Sequence, residues 1–100
     1  MISVGIIVYD REQFEKIAEL IKEYLQNSSS SAIKQKDQIC WTIPFLNIIL
    51  MIYNPSIRGY RFDAVYYDEH IPYNELQEVV CPRLKYTPRP LAWLLSSIKN

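Results

Sequence analysis

Glycine is almost missing from this 100-residue chain, which has two, Gly5 and Gly59. Few positions are therefore free to take positive φ, and its turns must be tight or carry Asn and Ser. Net charge is missing as well, with 11 basic and 11 acidic side chains. That excludes a global field drawing the chain to nucleic acid or to an anionic membrane. The longest apolar run, Ile48 to Tyr53, is far too short to span a bilayer. The opening MISVGIIVYD has no basic n-region and no small-residue cleavage site, so no signal peptide and a cytoplasmic location are expected. Cysteine is limited to Cys40 and Cys81, neither with a Cys or His neighbour at metal spacing. Both read as buried thiols in a reducing compartment.

What is present is a globular composition, 49% hydrophobic and 22% charged, enough for one domain over residues 1–100 with a modest core. ISVGIIV reads as a strand buried on both faces. Asp10 then caps a helix, with Gln13 completing a capping-box pattern and Tyr9 and Phe14 placed as a hydrophobic staple. Phe14, Ile17, Ala18, Ile21, Tyr24 and Leu25 recur at helical spacing, and Glu12 and Lys16 can pair on the wet side. The helix should end near Gln26 or Asn27. NSSSS offers no periodicity, so a flexible loop is expected over about 27–36.

Pro44 divides the next apolar stretch into strands of about Gln38 to Ile43 and Leu46 to Tyr53, joined there or forming one strand bulged at the proline. Phe62 to Tyr67 reads as a fourth, central strand. YNELQEVVC reads as a short helix halted by Pro82. PLAWLLSSIK reads as the last helix, with Leu91, Leu94, Leu95 and Ile98 facing the core. The fold class is α/β, a small mixed β-sheet with helices packed on it and a parallel neighbour for the first strand. A chain this short covers its sheet incompletely, and a homodimer would hide the remainder.

Charge is uneven along the chain. Asp63, Asp68, Glu69, Glu75 and Glu78 form an acidic segment, and Arg83, Lys85, Arg89 and Lys99 a basic one. The two segments can neutralise each other, or the basic one can touch phosphate or an acidic partner. Tyr60, Tyr66, Tyr67 and Tyr73 gather around the acidic stretch, as packing residues or as a stacking or protein-binding surface.

IRGYRFDAVYYDEH places Arg58-Gly59, then Asp63, then Asp68-Glu69 at the end of an apolar strand. In order and spacing this resembles the second nucleotide-site motif, Walker B, of phage large terminase ATPases and related helicase-like motors. GIIVYDREQFEKIAELIKEYL and QICWTIPFLNIILMIY extend the likeness, by element order, to roughly residues 2–85. The resemblance implies a P-loop-ATPase-like core in which Asp68 would hold magnesium and Glu69 would polarise the attacking water. Such a site also needs a Gly-rich loop ending in Lys-Ser or Lys-Thr to cradle the phosphates, and no such sequence occurs. Two carboxylates without that cradle repel a polyphosphate.

The expectation is a reduced core without hydrolysis: a non-catalytic binding or regulatory protein of viral or mobile-element origin, acting in the host cytoplasm if viral. Its partner would be another protein or itself. Magnesium and ATP enter only if a second polypeptide completes a split ATPase. A third reading is a nucleic-acid-binding protein that uses the basic C-terminal segment. Candidate binding residues are Arg58, Arg61, Tyr67, His70, Arg83 and Arg89. Arg58 and Arg61 can equally serve as partners of Asp63 or Glu69. His70 reads as a loop histidine, a metal ligand or a pH-sensitive group.

Overall fold

The computed structural model describes residues 2–26, 30–54, 62–72, 74, 76 and 89–99. Arg58, Tyr60, Arg61, Tyr73, Cys81, Arg83, Lys85 and most of the expected helix at 73–81 lie outside the described residues. The elements are β1 (Ile2–Val8), α1 (Arg11–Tyr24), β2 (Ser31–Lys34), β3 (Gln38–Ile43), β4 (Leu46–Ile52), β5 (Ala64–Tyr67), β6 (Arg89–Pro90) and α2 (Leu91–Lys99). The six strands form one sheet in the order β2-β3-β4-β1-β5-β6. β1 runs parallel to both β4 and β5, β5 is parallel to β6, and β2-β3-β4 is an antiparallel meander. This is the expected mixed α/β arrangement. No helix among the described residues is long and apolar enough to cross a membrane.

The continuous apolar run of β1 is explained by its place between two parallel neighbours, with both faces covered. Ile6 and Val8 join Leu50, Ile39, Trp41 and Leu91 beneath Phe14, Ile17 and Ile21 of α1. On the other face Ile7 packs with Met51, Val65, Phe62, Ile71 and Leu76. Of the residues expected to face the core from the last helix, Leu91 is buried and Leu94 and Leu95 pack partly buried against the α1 cluster.

α1 begins as its sequence signals. Asp10 is extended, at φ −142°, and its carboxylate accepts the Gln13 N–H at 2.9 Å. The staple is not what settles Tyr9, which is half exposed with its ring 5.9 Å from that of His70. Nor is Glu12–Lys16 the ion pair recorded on this helix: Arg11 pairs with Glu15 at 3.9 Å and with Asp37, and its guanidinium lies 5.0 Å from the centre of the Phe14 ring.

One expectation needs revision, and one open alternative is decided. Part of the expected loop, 31–34, is strand β2. Its four side chains are all exposed, so no face leaves a periodic apolar signal; the strand is imposed by the backbone ladder of β3. The Pro44 stretch is a hairpin and not one bulged strand, since Ile43 pairs with Leu46 across Pro44-Phe45. Proline pre-sets the first turn position. The second takes φ +70° and is occupied by Phe45, where glycine would be the unstrained choice.

Candidate functional site

β1 leads through α1 to the β4 side of the sheet, and β5 leads away to β6 on the other. The carboxyl ends of β1 and β5 therefore meet where the connections diverge, the place where open α/β sheets form a crevice. Tyr9 and Asp10 arrive there from β1, and Asp68, Glu69 and His70 from β5.

Asp68 extends the β1–β5 ladder, its N–H donating to the Ile7 carbonyl at 2.9 Å. Its side chain is 4% exposed. Oδ1 accepts two hydrogen bonds from one residue, the His70 backbone N–H at 2.9 Å and the His70 ring Nδ1 at 2.7 Å. The Ile71 N–H closes the turn on the Asp68 carbonyl at 3.0 Å. Oδ2 is buried and meets no hydrogen-bond donor among the described residues. An unmatched buried acceptor costs about 1–3 kcal/mol, so the carboxylate leans heavily on His70.

A carboxylate can only accept, so His70 Nδ1 must carry a proton to bond it. The imidazolium is favoured first by that hydrogen bond and then by the Asp68 charge, with Asp10 and Glu69 adding to both. Together they raise the His70 pKa above its ordinary 6.5, against an opposing desolvation. The ring is 75% exposed, so solvent screens the gain. The sign follows from linkage. The stabilisation is fully present below pH 6.5, the unfolded value, and fades as pH rises through the higher folded value. Urea midpoints measured across this window should fall with rising pH in the native protein and stay level in His70→Gln. Equal slopes in the two proteins would refute the pairing.

The other residues of the motif are used differently. Asp63 Oδ2 accepts the Ser3 N–H at 2.8 Å, and the Asp63 N–H donates to the Ser3 carbonyl at 2.8 Å. This reciprocal clamp sets β5 alongside β1, so Asp63 does not depend on an arginine for its partner. Tyr67 packs partly buried against the Ile7 cluster. Arg89 stands opposite Tyr66 in the β5–β6 pair, with its guanidinium 4.4 Å from the centre of the Trp93 ring, which stacks on Tyr66 at 6.2 Å. The structure thus groups Asp68, Glu69 and His70, and engages Arg89 with Trp93. It adds Tyr9 and Asp10, which sequence reasoning treated only as helix-start residues. Their signal was present, since an acid closely follows a strand at both Asp10 and Asp68, but only strand adjacency relates the two.

A magnesium–nucleotide site does not fit these residues. Asp68 is enclosed, with one oxygen committed to His70. The neighbouring N-terminus of α1 is already capped by a carboxylate, with the Gln13 N–H on Asp10 Oδ1 and the Phe14 N–H on the Asp10 carbonyl. Among the described residues no group of three or more His, Cys, Asp and Glu side chains is placed to hold a metal ion. No protein-family model matches the chain, and comparison with curated proteins and with solved structures finds no match.

Proposed function

We propose that this chain is a non-catalytic binding or regulatory protein, a reduced relative of a motor ATPase core of viral or mobile-element origin. It acts by presenting the carboxyl edge of β1 and β5 to a protein partner. The observation that carries this reading is the enclosure of Asp68. The residue in the magnesium position of the resembled motif spends its carboxylate on the turn that follows it, and the Asp10 carboxylate is spent on capping α1. What stays outward is recognition chemistry: the half-exposed Tyr9 ring, the exposed Glu69 and the His70 imidazole. Incubation with magnesium and ATP should give no turnover above background. Magnesium-dependent hydrolysis that disappears in Asp68→Ala would overturn the reading.

A further inference from the structure

Strand β2 ends the sheet, and its outer edge has a definite hydrogen-bonding pattern. The Gln35 N–H donates to the Gln38 carbonyl at 2.8 Å, making that pair a bonded one. Bonded and non-bonded pairs alternate in an antiparallel ladder. Ile33 opposite Cys40 and Ser31 opposite Thr42 are therefore also bonded pairs. Ala32 and Lys34 then turn their N–H and C=O groups away from β3, toward the open edge. All four β2 side chains are exposed, Ile33 at 64%.

We infer that this edge is a self-association surface, at which β2 pairs antiparallel with β2 of a second copy about a two-fold axis through Ile33. The register follows from the parity of the faces, the outward backbone groups and the Ile33 side chain. Continuing one sheet with matched faces requires residues of equal parity to stand opposite each other. Ile33 on the partner's Ile33 meets this, and it makes Ala32 and the partner's Lys34 a bonded pair, twice over by symmetry, from the groups that point outward. It also makes the Ile33 pair non-bonded, where side chains approach most closely.

Charge is compatible with that register. Lys34 meets the partner's Ala32, Lys36 meets the partner's Ser30, and no like charges stand opposed. The chain as a whole has zero net charge to repel a copy. The apolar pattern is continuous as well. Ile33 aligns with Cys40, and Cys40 with Ile49, whose side chain belongs to the sheet face opposite α1. Pairing through Ile33 joins this row to its copy across the axis, covering a side chain that the monomer leaves in water. The short strand and its lysines favour a reversible dimer over an open-ended fibre.

This goes beyond the binding reading, since it concerns the outer edge of β2 and not the carboxyl edge of β1 and β5. Hydrolysis bears on that reading and molecular mass on this one, so the two fail separately. Sedimentation equilibrium from roughly 10 µM to 1 mM should show the mass of the intact chain rising toward twofold. Ile33→Asp, which changes an exposed side chain and opposes two carboxylates at the axis, should weaken association at least tenfold. Ala32→Pro removes an outward N–H that β3 does not use, and proline is tolerated at such edge positions; it should weaken association as strongly with an unchanged far-UV spectrum. A monomer at the highest concentration, or a dimer indifferent to Ile33→Asp, overturns the inference.

Discussion

Phe14→Ala should lower unfolding stability by about 3–5 kcal/mol, the usual range for deleting a buried phenylalanine ring. Phe14 is completely buried and lies in the cluster that joins α1 to β1, β3, β4 and α2. Removing the ring leaves a void that backbone fixed on several sides cannot fill. A domain of this size has about 5–15 kcal/mol in total, so the variant should stand near the edge of folding. Urea denaturation is the measurement. The midpoint should fall sharply while the slope stays near that of the native protein. A loss below about 1 kcal/mol would mean that α1 does not close this core as described.

The second large effect concerns Gly5. Glycine in a strand interior is ordinarily a weakness of about 0.5–1 kcal/mol relative to alanine, yet here its bareness is required. A Cβ at Gly5 would lie 2.9 Å from three carbons of the Phe62 ring, Cδ1, Cδ2 and Cε1. The buried ring lies across the backbone of the central strand, which pairs at this point with Ile49 and Val65. Gly5→Val should therefore destabilise by about 1–3 kcal/mol through overpacking, although valine suits a strand better than glycine. The cause can be isolated with a smaller change. Gly5→Ala should be destabilising in the native background and better tolerated with Phe62→Leu, giving a coupling of about 0.5–3 kcal/mol in a double-mutant cycle. Additive effects would show that the ring is not the obstacle.

Much of the local structure was legible in the chain. Asp10 and Gln13 announced the start of α1, and the spacing of Phe14, Ile17 and Ile21 chose its buried face. The apolar runs of β1 and β4 and the breaker Pro44 located three strands closely. These readings succeed because they rest on interactions within a few residues. β2 was missed because its side chains are exposed and its ladder partners belong to β3. Asp68-Glu69 was recognised as the end of a central strand, but the sequence could not say how the carboxylate would be used. Its neighbours Tyr9 and Asp10 lie nearly sixty residues away and become neighbours only when β5 pairs with β1.

The sequence by itself determined the α/β class, the amphipathic first helix, the turn residues and the absence of any Gly-Lys-Ser/Thr cradle. Each depends on side-chain chemistry at short range or on composition alone. Only the tertiary structure decided that β1 stands between β4 and β5, that Ser3 satisfies Asp63, and that Asp68 is enclosed and held by His70. The physical reason is desolvation. An acid at a strand end has the same sequence whether water or protein surrounds it, and burial makes its partners matter.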